Sequence, residues 1–144
     1  RQMCIRDRVK TIGDAVMASF LSNRSGLRAV DEAQRRLEQY NQSVPDARRL
    51  QLRFGMHRGP AIMVNLNGQM DYFGRTVNKA ARVQAIARSN ELSVSEEVFT
   101  DPDFQAECSV SSWSNFRKSV EDLKGIVGGQ LVYTAQRGTA NATR

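Results

Sequence analysis

Apolar and β-branched residues run through "VKTIGDAVMASF", with Val9, Thr11 and Ile12 before a Gly-Asp pair and Ala15 to Phe20 after it. The pattern predicts two short strands joined by a two-residue link, a recognised hairpin connection. After the polar "LSNRSG", Leu27, Val30, Ala33, Leu37 and Tyr40 recur at spacings of three and four. They form the apolar face of an amphipathic helix, with Ser25 as its candidate cap and Asp31 and Glu32 near its start. Pro45 in "SVPDARR" ends the helix, because proline disfavours helical geometry in the residue before it. Leu52, Phe54 and Met56 alternate as a strand, and the run "AIMVNL" is expected to pair with it across "HRGP". "NGQMDYFGR" reads as a loop. From Thr76 a second helix, "TVNKAARVQAIAR", can turn Val77, Ala80, Ala81 and Ile86 to the core, and Ser89-Asn90 bounds it. "ELSVS" reads as a short strand, "EEVFTDPDF" as a helical turn and loop, and "AECSVSSWSNFRKS" shows no clear period. "VEDLKGI" and "QLVYTAQ" flank Gly128-Gly129 as a closing hairpin, and "RGTANATR" has the composition of a frayed tail. The order ββ-α-ββ-α-β-ββ predicts an α+β sheet with helices mainly on one face.

At 144 residues the chain suits one domain that needs no disulfide or metal staple. No apolar run approaches the ~18 residues of a membrane span. Two cysteines, Cys4 and Cys108, make no disulfide framework, and no signal peptide is legible, so a reducing, cytoplasmic setting is expected. The net charge of +6 comes from 17 Arg and 4 Lys against 15 acidic residues. Those Arg residues are scattered, with no aromatic-interleaved basic run, which argues against nucleic acid as a partner. A phosphate-rich small ligand would benefit from the same field.

Three places hold candidate chemistry. Asp14 sits at the first hairpin turn, where Asp is a common turn former and where the sheet would also hold a functional carboxylate rigidly. Asn78 and Arg82 are four apart on the second helix and so share a face, with Asp71 just upstream. Such a face can take a nucleotide's ribose and phosphates, Arg serving as the charge-stabilising fork; alternatively Arg82 pairs with a surface acid. His57, the single histidine, is expected to be a buried or hydrogen-bonded structural residue, and Met17, Met56 and Met63 core.

Taken together, "VKTIGDAVMASF", "LRFGMHRGP", "DYFGRTVNKAARV" and the closing "EDLKGI" before "LVY" resemble, in that order, the catalytic domain of class III nucleotidyl cyclases, the bacterial adenylate cyclase type above all. The resemblance covers Val9 to Gln136. It implies a ferredoxin-like α+β fold and attack of a ribose 3′-OH on the α-phosphate of a nucleoside triphosphate, closing a 3′,5′-cyclic phosphate and expelling pyrophosphate. Asp14 falls on one of the family's two metal aspartates, which hold a pair of divalent cations, Mg²⁺ or Mn²⁺, at each site. Lys10 matches the base-reading lysine and Asp71 its carboxylate partner; together they favour ATP, because a Lys donor and an Asp acceptor complement the adenine edge. Asn78 matches the ribose-positioning asparagine, and Arg82 the arginine that stabilises negative charge at the transition state. A chain carrying both sets points to a homodimer with two equivalent sites. The competing readings are a catalytically inactive regulatory pseudo-cyclase and a guanylate cyclase.

The sequence departs from the family at its start. The family's other metal aspartate lies in an N-terminal strand followed by two helices, and neither is legible here. "MCIRD" matches the translated end of a transposase-based sequencing adapter. Residues 1–8 are therefore expected to be non-native, residues 9–136 a partial catalytic domain, incomplete at the N-terminus, and residues 137–144 a tail. On this reading the chain alone is inactive, and any membrane attachment belongs to segments absent from it.

Overall fold

The computed structural model describes residues 8–66 and 69–138. Residues 1–7 and 139–144, most of the expected non-native leader and tail, lie outside the described residues. The fold is α+β, as expected. β1 (Arg8–Ile12) and β2 (Ala15–Ser19) pair antiparallel with Ile12 opposite Ala15, so Gly13-Asp14 is the entire loop. Gly13 has φ +61° while Asp14 is not left-handed, the signature of a II′ turn with Gly at its first central position.

α1 (Asn23–Gln42) starts earlier than predicted: Ser22, in extended geometry, is the N-cap and accepts the Ser25 N–H at 3.1 Å. Ser25 is thus a donor within the first turn. Asp31 and Glu32 consequently lie mid-helix, where Glu32 pairs with Arg35 and, at 2.6 Å, with Arg36.

β3 (Phe54–Met56) is shorter than the alternation implied, and Leu52 lies outside it. The expected pairing of β3 with "AIMVNL" does not form. That run is β4 (Ile62–Leu66), antiparallel to β5 (Gln69–Phe73), a strand where a loop was expected. Met70 and Tyr72 alternate with Gln69 and Asp71, a strand period that the flanking Asn and Gly residues obscured. β3 instead pairs in parallel with β6 (Glu91–Ser95), Phe54 opposite Leu92. α2 (Arg75–Gln84) closes the crossover between them and ends short of Arg88. After β6 come α3 (Glu96–Phe99) and α4 (Pro102–Cys108), the latter capped by Asp101. β7 (Arg117–Glu121) and β8 (Gln130–Gln136) form the closing hairpin, with "DLKGI" in its loop rather than in a strand. The main sheet runs β3-β6-β8-β7, and the hairpins β1-β2 and β4-β5 are separate two-stranded sheets.

All five residues of β6 are buried, because both faces of this strand are covered. Leu92 and Val94 point to one face, into a cluster with Leu27 of α1, Val98 of α3, Phe104 of α4 and Trp113. Trp113 packs edge-on to Phe54 with centroids 6.1 Å apart, which gives the stretch without a period its place in the core. Ser93 and Ser95 point to the other face. There Val132 of β8, opposite Ser95, packs on Val83 of α2 and on Leu123. Three helices, α1, α3 and α4, therefore cover one face, in keeping with the expectation of helices mainly on one side, and α2 alone covers the other. Ala81 is exposed and Val83 takes the core position assigned to it.

α2 can lie close to the sheet only because Gly55 has no side chain: a Cβ there would stand 2.4 Å from Gln84 Cα. Arg137 ties the chain beyond β8 to α1 by pairing with Asp31 at 3.2 Å and with Glu38, its side chain 10% exposed. Among the described residues no helix is long and apolar enough to cross a membrane.

Gly55→Ala should cost about 1–3 kcal/mol of stability, the usual range for overpacking a tight contact. Chemical denaturation would read this as a lower midpoint with an unchanged slope; an unchanged midpoint would mean that α2 is not seated on Gly55.

Candidate active site

α2 has two chemically distinct sides. Thr76, Lys79 and Val83, at i, i+3 and i+7, face the protein. The Thr76 hydroxyl donates to the Pro60 carbonyl. Lys79 Nζ lies 3.3 Å from the Glu97 carboxylate and donates to Gln130 Oε1 at 2.9 Å. Arg75, Asn78 and Arg82, at the same spacing on a side turned by about 100°, are all exposed. The helix thus brings Asn78 and Arg82 together on one open face, and among the described residues neither side chain is drawn into an ion pair.

The other predicted residues stand on two further elements. Lys10 is half-buried in β1, opposite Met17, and Asp14 is exposed at the II′ turn four residues on. Asp71 lies in β5 opposite Val64, so its position is fixed by a strand register rather than by a loop. β5 packs against α2, which puts Asp71 on a neighbour of the Asn78 helix.

His57, which follows β3, shares a hydrogen bond between its Nδ1 and Ser95 Oγ at 2.8 Å, and its side chain is 6% exposed. This is the structural role expected of it. Burial lowers its pKa, Lys79 adds to that effect, and Glu97, 3.9 Å away, opposes it. For Glu97, burial pushes the carboxyl up, but its own backbone N–H and Lys79 outweigh this and hold it below the usual range. Together with Arg58, Gly59, Pro60 and Thr76, these two residues line an open cleft of about 500 Å³. The Cys108 thiol is pushed up to about 11, by burial first and by Glu107 second, which makes it a poor nucleophile at neutral pH.

Among the described residues no three His, Cys, Asp or Glu side chains cluster as a ready-made metal cage. Asp14 is a hard oxygen donor with open access, which fits one Mg²⁺-like ion that takes its remaining ligands from water and phosphate. It does not by itself fit a pair of ions, which needs carboxylates bridging both.

The sequence matches the model of the adenylate and guanylate cyclase catalytic domain over residues 2–117. The chain belongs to this family. The cyclase domain is similar to the structure of an adenylate/guanylate cyclase/hydrolase from Silicibacter pomeroyi, at 28% identity and a TM-score of 0.71, over 93% of this chain and 75% of that one. The same fold appears in the guanylate cyclase domain of RhGC from Catenaria anguillulae in complex with GTP, at 19% identity and a TM-score of 0.64, over 92% and 74% of the two chains. It appears again in the adenylyl cyclase CyaB from P. aeruginosa, at 18% identity and a TM-score of 0.58, over 93% and 74%. No curated protein matches the chain.

Sequence reading overlooked Lys79 and Glu97. A charged residue on the apolar side of α2, three residues after Thr76 and four before Val83, was the signal that could have found them.

The low His57 pKa fixes a pH dependence. Above pH 6.5, the ordinary histidine value, folded and unfolded chains both hold a neutral imidazole and this residue contributes no slope. Below it the unfolded chain takes up the proton first, so stability falls until the folded-state pKa is reached. Denaturant midpoints measured between pH 8 and pH 5 should therefore drop more steeply for the parent than for His57→Asn. Parallel curves would show that His57 is not held neutral by the fold.

Proposed function

We propose that this cyclase domain is an adenylate cyclase, converting ATP to 3′,5′-cyclic AMP and pyrophosphate. The reading rests on one observation, the co-occurrence of Lys10 and Asp71. A lysine donates to adenine N1 and an aspartate accepts from the 6-amino group; guanine, with N1–H donating and O6 accepting, presents the reverse polarity. Asn78 holds the ribose so that its 3′-OH stands in line with the α-phosphate. That oxygen attacks phosphorus, its proton leaves, and the bond to the β-phosphate bridging oxygen breaks with pyrophosphate carrying the electron pair. Arg82 forks onto the phosphate oxygens, where negative charge gathers as that bond breaks. Asp14 would hold a divalent cation, Mg²⁺ or Mn²⁺, through its open carboxylate, and such an ion would supply acidification of the 3′-OH and neutralisation of phosphate charge. The domain works as a homodimer in which one protomer supplies Asp14 and its partner the base, ribose and phosphate contacts. Attack, proton loss and release all take place on a nucleotide in the cytoplasm.

Lys10→Glu with Asp71→Cys should move preference from ATP towards GTP. Each mismatched hydrogen-bond group in a closed site costs about 1–3 kcal/mol, on the order of tenfold in affinity or more. Competition between ATP and GTP for a fluorescent nucleotide analogue reads this without requiring turnover. Full ATP preference in the double variant would remove both residues from base reading, and GTP preference in the parent chain would replace this proposal with a guanylate cyclase.

In a domain completed with the N-terminal strand and two helices that the family resemblance implies, Arg82→Ala should lower kcat by about 10² or more with a smaller change in KM, the pattern of an interaction made mainly in the transition state. An unchanged kcat would take Arg82 out of the mechanism.

A further inference from the structure

Asn78 and Arg82 lie on the side of α2 that makes no ion pair among the described residues, so their direction depends on how the adjoining side is held. Five attachments hold that side, two of them at its C-terminal end, where Val83 is buried against Leu123 and Val132 and the Gln84 amide donates to the Arg53 carbonyl at 3.2 Å. The Thr76 hydroxyl bonds the Pro60 carbonyl in the first turn, and the Gly55 backbone fixes the approach of Gln84 at the end. Between them lies Lys79, with its side chain only 14% exposed.

Thr76 and Gly55 set distance more than rotation, and Val83 and Gln84 hold the last turn, beyond Asn78. Thr76 offers one hydroxyl, and Gly55 offers an absence of bulk against which the helix can still turn. Lys79 differs in kind. Its ammonium reaches two elements at once, Glu97 on α3 at 3.3 Å and Gln130 at the start of β8 at 2.9 Å. The Gln130 amide is itself oriented, since its Nε2 donates to the Gly128 carbonyl at 3.4 Å. Glu97 is fixed in turn, because the next residue, Val98, is fully buried in the core on the other face of the sheet. Lys79 therefore grips two points that cannot follow a rotating helix. Successive helical residues are 100° apart, so a small roll of α2 that broke this grip would swing Asn78, the adjacent residue, by the same angle.

We infer that the Lys79–Glu97–Gln130 cluster positions the nucleotide-facing side of α2, and that Lys79 and Glu97 act on the reaction through Asn78 and Arg82 without touching the nucleotide. The inference rests on the reading that Asn78 and Arg82 contact the nucleotide. The electrostatics agree with this role: a largely buried ammonium is stable only with its carboxylate partner present, and removing Glu97 leaves on Lys79 an uncompensated charge that the helix must move to hydrate.

The test uses the full chain in four forms: parent, Lys79→Met, Glu97→Gln, and the charge-swapped pair Lys79→Glu with Glu97→Lys. Fluorescent ATP analogue titration should show both single variants about 10-fold or more weaker than the parent, the scale on which supporting partners of a site act. The swapped pair should recover most of that loss. Hydrogen exchange should show faster exchange of α2 amides in both single variants and near-parent exchange in the swapped pair. Two results would overturn the inference. If the single variants lower the melting temperature while affinity and α2 exchange stay at parent values, the cluster is structural only. If the swapped pair restores α2 exchange but binds as weakly as Lys79→Met, Lys79 contacts the nucleotide directly. A parent chain that binds no nucleotide would overturn the adenylate cyclase reading instead, and α2 exchange would then still decide whether the cluster holds the helix.

Discussion

The closeness of α2 to the sheet is the constraint on which this structure turns. Gly55, Ser93 and Ser95 form a floor of small side chains, and Gly55 sits so near Gln84 that no Cβ fits. A helix carrying the exposed face Arg75, Asn78, Arg82 needs a seat that does not yield, since the apolar area under it is modest: Val83 is its one fully buried side chain. Tight backbone packing supplies at short range what a larger hydrophobic face would otherwise provide.

The same economy governs β6. Its outer neighbours differ in direction, β3 parallel and β8 antiparallel, and its two faces differ in character. Leu92 and Val94 serve a conventional apolar core. Glu91, Ser93 and Ser95 serve a polar one in which each group finds a partner: Ser93 with Thr134 at 2.9 Å, Ser95 with His57, and Glu91 with the Arg88 N–H and with Arg117 at 3.0 Å. Burial pushes the Glu91 carboxyl up, yet those two donors outweigh it and leave it below the usual range. Satisfied hydrogen bonds beside the small Val83–Leu123–Val132 cluster leave less freedom for alternative packings beneath a short helix than an all-apolar face would.

Local patterns in the sequence identified elements well and partners poorly. The hairpin at Gly13-Asp14 and the α1 face at Leu27 and Leu37 were legible because turn chemistry and a period of 3.6 are written within a few residues. The parallel pairing of β3 with β6 was not legible, since it joins residues about 38 positions apart and depends on where α2 lands. β5 is not legible as a strand because flanking Asn and Gly residues outweigh four residues of alternation, Gln69 to Tyr72. The cap is ambiguous in the sequence because the "LSNRSG" stretch holds two serines, Ser22 and Ser25, and only backbone geometry selects Ser22. Motif order was enough to propose Lys10, Asp14, Asp71, Asn78 and Arg82 as site residues, whereas the Lys79–Glu97 pair left a single trace, one charged residue on the apolar side of α2, with nothing local to name its partner.

Arg137 has a practical meaning for anyone who builds on this domain. Its side chain clamps Asp31 and Glu38 of α1, while the backbone beside it bridges Trp113 and the Gly138 N–H donates to the Ser112 carbonyl at 2.7 Å. The exit point is thereby anchored on the α1 side of the sheet, with the β-layer standing between it and α2. A fluorescent reporter or a surface tether joined after Gly138 would hang behind the molecule, leaving Asn78 and Arg82 open to whatever approaches from the front.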